Sequence, residues 1–253
     1  MRAALLAAAL AAAGAAQAEG ERVIAALSQN RVSLTTTWSG QEIFVFGAVK
    51  REAPEAAAKV DVIAAVDGPA EPVTVRRKSR VAGIWTNTDS VLIDSAPSFY
   101  AVASTGPLSE ILSETDDLRH RIGIDKQVRL VGAPADVAEA ESFREAVIRL
   151  RRADGLYVEK PGEVRMTENT LFTASIALPA NLVEGDYRAR VFLLHDREVI
   201  DSFETSIAVR KEGLERIIFA LSRENPAVYG LLSILLALVA GWGASEAFRL
   251  LRR

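Results

Sequence analysis

Ala227-Val-Tyr-Gly-Leu-Leu-Ser-Ile-Leu-Leu-Ala-Leu-Val-Ala-Gly-Trp-Gly-Ala244 decides how the whole chain is read. No charged residue interrupts it. Eighteen residues at a helical rise span about 27 Å, close to the hydrocarbon thickness of a bilayer. The stretch is expected to be a single transmembrane helix over 226–246. Pro226 suits its first turn, where the missing N–H has no partner anyway. Tyr229 and Trp242 stand near its two ends, at depths that amphipathic rings prefer. Ser233, Ala237, Gly241 and Ser245 recur every four residues. Such a stripe of small side chains either allows close helix–helix packing in lipid or accompanies plain anchoring.

Outward from the helix, the tail 247–253 carries Arg249, Arg252 and Arg253. The excess of arginine predicts a cytoplasmic C-terminus and places the bulk of the chain on the other side. The N-terminus agrees. Met1-Arg2, the alanine- and leucine-rich run Ala3 to Ala13, and Ala16-Gln17-Ala18 read as a signal peptide over 1–18. The expected arrangement is a single pass with the main mass outside the cytoplasm.

About two hundred residues remain for folded domains. Thirty basic and 33 acidic residues give a net charge of −3, without the positive footprint of a nucleic-acid binder. With no cysteine, disulfides and thiolate chemistry are excluded, so an apolar core must hold the fold.

The pattern between the termini is mainly β. Ile43-Phe-Val-Phe-Gly-Ala-Val49 and Val60-Asp-Val-Ile-Ala-Ala-Val66 are near-continuous apolar runs of the kind that form central strands. Turn signals such as Asp67-Gly68-Pro69 separate them. Residues 19–130 read as one β-sandwich module. Asp136 to Arg152 follows as an amphipathic helix, capped by Asp136, with Val137, Ala140, Phe143, Val147 and Leu150 on one face. Strands resume at Gly155–Val158, Leu171–Leu178, Tyr187–Leu194 and Val199–Val209, with His195 to Glu198 as a hairpin tip. Tyr187 opens an alternating strand after a glycine turn, as in the tyrosine corner of immunoglobulin-type sandwiches. Residues 131–212 are therefore expected to hold the helix and a smaller Ig-like module. The juxtamembrane segment 213–225 places Leu214, Ile217, Ile218 and Leu221 on one helical face.

Phe46-Gly47, Asp61-Val62 with Gly68-Pro69, and Arg77-Lys78 with Gly83-Ile84-Trp85 occur in this order. So do Pro97-Ser98-Phe99-Tyr100, Gly155-Leu156-Tyr157, and Leu178-Pro179 with Gly185-Asp186-Tyr187. In these pieces the chain resembles a family of alphaproteobacterial transmembrane proteins with an exported N-terminus, a β-rich middle and one C-terminal span. The resemblance implies an inner-membrane location and a role beside other envelope membrane proteins. It implies no reaction and no catalytic residue.

Motifs for catalysis are missing from the sequence. There is no H-E-x-x-H, P-loop or G-x-S-x-G. His120 lies between Arg119 and Arg121, which disfavours a bound cation, and His195 falls at a solvated tip. Glu110, Glu114, Asp116 and Asp117 lack the pattern of a calcium loop and are expected on a solvated face. No enzymatic activity, cofactor or metal site is expected. Arg76, Arg77, Lys78 and Arg80 form the densest basic run. They either contact a phosphate, carboxylate or partner, or keep an edge strand soluble. Trp85 is expected to fill the core beside them.

The leading expectation is a non-enzymatic interaction module for another integral membrane protein of the envelope, such as a transporter. The alternative is a binding module for an anionic envelope ligand through the basic strand, and an unrecognised enzyme is the third. Nothing in the sequence sets an oligomeric state.

Overall fold

The computed structural model describes residues 21–51, 59–130, 137–212, 218 and 221–251. The signal peptide, the Asp136 cap, Leu214 and Ile217, and Arg252 and Arg253 lie outside the described residues.

The chain begins with β1 (Arg22–Leu27), β2 (Arg31–Leu34), β3 (Gln41–Lys50), β4 (Val60–Asp67), β5 (Ala70–Val81), β6 (Ile84–Pro97) and β7 (Tyr100–Ser104). Short helices α1 (Leu108–Ile111), α2 (Glu114–His120) and α3 (Ile124–Gln127) precede the longer α4 (Val137–Ala153). Then come β8 (Tyr157–Pro161), β9 (Arg165–Thr167), β10 (Leu171–Leu178), β11 (Gly185–His195), β12 (Glu198–Lys211) and finally α5 (Pro226–Leu251). The protein is mainly β, with an apolar C-terminal helix.

Two compact units emerge. The larger holds residues up to Asn30 and Ser39–Ala208, and the smaller holds Arg31–Trp38 and Val209 onward. In the larger unit one antiparallel sheet runs β1-β3-β10-β9. A second contains β12-β11-β4-β7-β8. β10 lies against β7 and β4, and β1 against β11, so the two sheets stack face to face.

Strand pairing crosses the boundary expected at residue 130. β3 pairs with β10, and β4 with β11. The two predicted β segments thus share both sheets, and residue 130 lies inside one compact unit.

β4 is buried on both faces, which explains its unbroken apolar run. β3 is not. Ile43, Val45 and Val49 point into the core, whereas Phe44 and Phe46 are exposed on the outer face. Among the described residues, no layer covers this second apolar face. Gly47 has a different reason to be small. The Phe172 ring of β10 crosses it, and a Cβ there would sit 2.4 Å from Phe172 Cζ and 2.3 Å from the Ile24 carbonyl oxygen.

β7 and β8 are parallel, and this requires a crossover between them. The chain supplies α1 to α4. Tyr100 donates its hydroxyl to the Ile122 carbonyl, and Tyr157 to the Pro97 carbonyl at 2.8 Å. Both phenols are pushed to higher pKa, above all by burial. On α4, Ala140, Phe143, Val147 and Ile148 are buried. Leu150 is exposed, contrary to expectation. It sits at the edge of the apolar stripe, where Arg151 instead reaches the Ser98 carbonyl at 3.5 Å.

Tyr187 is buried, and its hydroxyl donates to the Val183 carbonyl at 2.8 Å, four residues upstream. β11 and β12 turn over Asp196 and Arg197, both at positive φ (48° and 71°), as a two-residue hairpin loop requires. In the smaller unit, the Glu212 amide donates to the Leu34 carbonyl at 2.9 Å, closing β2 onto the end of β12. Within α5, the twenty residues Pro226–Ser245 are long and apolar enough to cross a bilayer, and none of that window is buried.

Candidate docking arm

β5 and β6 form a sheet of their own, two strands wide. At a strand rise of about 3.3 Å, the twelve residues of β5 cover about 40 Å. The base is fixed by Ile93, which is fully buried, and by the Ser95–Arg129 bridge. The strands join through Ala82 and Gly83, at φ 51° and 86°. Both central residues at positive φ match the strand twist, and glycine accepts this without strain.

The pairing register sorts the basic run onto two faces. Arg76 stands opposite Ser90, Lys78 opposite Asn87, and Arg80 opposite Trp85, so these side chains share one face. Arg77 points the other way, opposite Asp89. Its guanidinium lies 4.6 Å from the centre of the Phe143 ring and donates to Ser142 Oγ at 2.6 Å, both on α4. Arg77 therefore holds the arm against α4. The four basic residues do not form one patch. Arg80 Nε donates to the Gly83 carbonyl at 3.2 Å, bracing the turn.

The tip is apolar and open. Val81, Ile84 and Trp85 are 53%, 68% and 67% exposed. This corrects the expectation that Trp85 fills the core. A two-stranded arm has no second layer at its end, so alternation there has no interior to point into. Trp85 shares its face with Arg76, Lys78 and Arg80, while Val81 and Ile84, paired with each other, are exposed on the opposite face, so the tip offers apolar contact on both sides.

The other predicted residues belong to other elements. Ser233, Ala237, Gly241 and Ser245 line one face of α5 and are exposed, and Ser233 Oγ donates to the Tyr229 carbonyl at 2.8 Å. His195 lies 3.3 Å from Asp196 at the β11–β12 turn. Of the acidic cluster, Glu110 and Glu114 are exposed as expected, whereas Asp116 and Asp117 are not on a solvated face. Asp116 is buried, salt-bridged to Arg119 at 2.9 Å and accepting the Val199 amide. Asp117 Oδ1 accepts the amides of Ile122 and Gly123. Ser113 caps α2 through the Asp116 amide. These carboxylates build a helix and the turn after it.

A family described as "Putative transmembrane protein (Alph_Pro_TM)" matches residues 22–250. The chain belongs to this family. In Alph_Pro_TM the match thus runs from β1 through the arm to the apolar helix. No curated protein matches the sequence. Among solved structures, Spo0M, a sporulation control protein from Bacillus subtilis, is similar at 11% identity and a TM-score of 0.28, over 80% of this chain and 54% of its own. The N-terminal domain of the Streptococcus gordonii adhesin Sgo0707 is similar at 10% identity and 0.29, over 74% and 32%. E. coli alpha-2-macroglobulin is similar at 15% identity and 0.26, over 75% and 10%. The Alph_Pro_TM chain spans about half of Spo0M and less of the other two. At these TM-scores the likenesses carry no functional argument.

Sequence reasoning singled out Arg76, Lys78 and Arg80 but missed Val81 and Ile84 as their exposed companions. The available signal was Ala82-Gly83, a two-residue loop between long strands with apolar residues on both sides.

Proposed function

We propose that this Alph_Pro_TM protein is a non-enzymatic docking module of the bacterial envelope, held by α5 and engaging another integral membrane protein through the β5–β6 arm. Export through 1–18, a periplasmic bulk and a cytoplasmic C-terminus belong to the same reading. The arginines after the span support that orientation. The observation that carries the proposal is the arm's open tip: Trp85 on one face beside Arg76, Lys78 and Arg80, with Val81 and Ile84 exposed on the other. Tryptophan and arginine are the residue types that dominate binding energy at interfaces.

A photoreactive residue at position 84 of the full chain, in native membranes, tests it. One discrete protein adduct is expected, lost on Trp85→Ala. A smear equal to that from a photoreactive residue at exposed position 200 overturns it. A second reading draws on Trp85, Lys78 and Arg80 sharing one face: the tip touches anionic headgroups. Brominated anionic lipids in nanodiscs then quench the tip tryptophan, neutral ones do not, and high salt abolishes the difference.

A further inference from the structure

A cavity of about 290 Å³ opens beside β11, bounded by the end of β4, the base of the arm and the segment from α2 to Arg129. At about 30 Å³ per water it has room for about ten. Five arginines line it: Arg119, Arg121, Arg129, Arg188 and Arg190. Asp67 is the one carboxylate in the lining.

Local structure explains the convergence. Arg188 and Arg190 are two apart on β11 and share a face, and Asp67 is in register with Arg188. Arg121 is the left-handed cap of α2 (φ 51°), which turns the chain back toward the cavity. Arg129 arrives through its backbone bridge to Ser95.

The charges do not balance. Asp67 Oδ1 accepts from Arg190 Nε at 3.0 Å, and Oδ2 from Arg188 Nη2 at 2.8 Å, with Glu204 a more distant second carboxylate 3.9 Å from Arg188 Nε. Arg190 is further committed, donating to the carbonyls of His120 (2.8 Å) and Arg121 (3.3 Å). Arg119 has Asp116. Among the described residues, Arg121 and Arg129 have no carboxylate within ion-pair distance. Arg121 and Arg129 are exposed, so water screens their charges in the empty site, and a bound anion gains charge-assisted hydrogen bonds from both. Their planar forks match phosphate oxygens two at a time.

We infer that this cavity binds a small phosphate-bearing ligand, with the phosphate held by Arg121, Arg129 and the free edge of Arg188. Two guanidiniums, Arg121 and Arg129, remain without a carboxylate, and their two charges match a dianionic phosphate better than a single carboxylate. Asp67 and Arg190 are the frame: they set the guanidiniums in place and close the turn after α2. The site is separate from the arm's tip and stands or falls without it.

The test is isothermal titration calorimetry on the full chain in dodecyl maltoside. Inorganic phosphate and glycerol 3-phosphate are titrated separately, with chloride at matched ionic strength as the reference. Saturable binding is expected. It should weaken at least tenfold in Arg121→Gln and in Arg129→Gln and vanish in the double variant, while Arg76→Gln with Lys78→Gln leaves it unchanged. Tighter binding of the ester assigns the ligand to a phosphomonoester, and tighter binding of phosphate to the free ion. If a glutamine variant does not fold, Arg129→Lys keeps the charge, loses the fork, and should still bind tenfold more weakly. No saturable heat beyond the chloride reference, or undiminished affinity in the double variant, overturns the assignment.

Discussion

Asp67 faces Arg188 across the β4–β11 ladder and grips its guanidinium at 2.8 Å, while its second oxygen holds Arg190 at 3.0 Å. Arg190 and Asp67 are both buried. Asp67→Asn leaves two adjacent guanidiniums without their counter-charge. Breaking such a buried pair from one side destabilises by about 3 kcal/mol. The urea midpoint of the variant should fall accordingly, and added phosphate should restore part of it.

Three phenols couple stability to alkaline pH. Burial is the main cause that raises the pKa of Tyr100, Tyr157 and Tyr187. In the unfolded chain a phenol ionises near pH 10. Above that pH the unfolded chain releases protons that the folded chain retains. Their contribution is complete below about pH 10 and is lost as pH rises toward the folded values, by up to about 1.4 kcal/mol per pH unit per tyrosine. Denaturation curves from pH 9 to 11 should show this decline. Tyr100→Phe should make it shallower, at the expense of about 1 kcal/mol at neutral pH for the lost bond to Ile122.

Trp85 and Phe172 make a contrasting pair. Trp85→Ala at the open tip should change the unfolding free energy by no more than about 0.5 kcal/mol. Phe172→Ala, in the core, should cost about 3–5 kcal/mol. Equal losses in chemical denaturation would refute the arm's geometry.

Gly47→Ala puts a methyl group against the Phe172 ring and the Ile24 carbonyl at once. The backbone oxygen cannot rotate away. A loss of about 2–3 kcal/mol is expected in a thermal or urea melt. Phe172→Leu in the same chain should recover little of it, because the Ile24 contact remains.

β10 and β12 were readable because each alternates over eight or more residues between clear turn signals, whereas the three-residue β9 is too short to show a pattern. The apolar helix was readable because length and composition suffice. β3 is a central strand, as its apolar run indicated, but Phe44 and Phe46 made its outward face look like an inward one. Helix α2 was hidden in Glu114-Thr-Asp-Asp-Leu-Arg-His120, where acidic residues look like a solvated run until Ser113 is recognised as the cap. Trp85 misled because alternation reports two faces of a strand, not whether anything covers them. The arginine cavity had no sequence signature. Its residues come from separated segments, and only the β4–β11 register and the turn after α2 bring them together.

The pairing of β4 with β11 also has a consequence for biosynthesis. The middle of the larger sheet lacks its partner until residues 185–195 have been made. β12 then ends at Lys211, and the apolar helix begins at Pro226. Translation of the lipid-seeking segment is under way almost as soon as the last partner strand appears. The nascent chain stays an open polypeptide for most of its length, and synthesis of its apolar helix and its collapse into two stacked sheets become nearly simultaneous events.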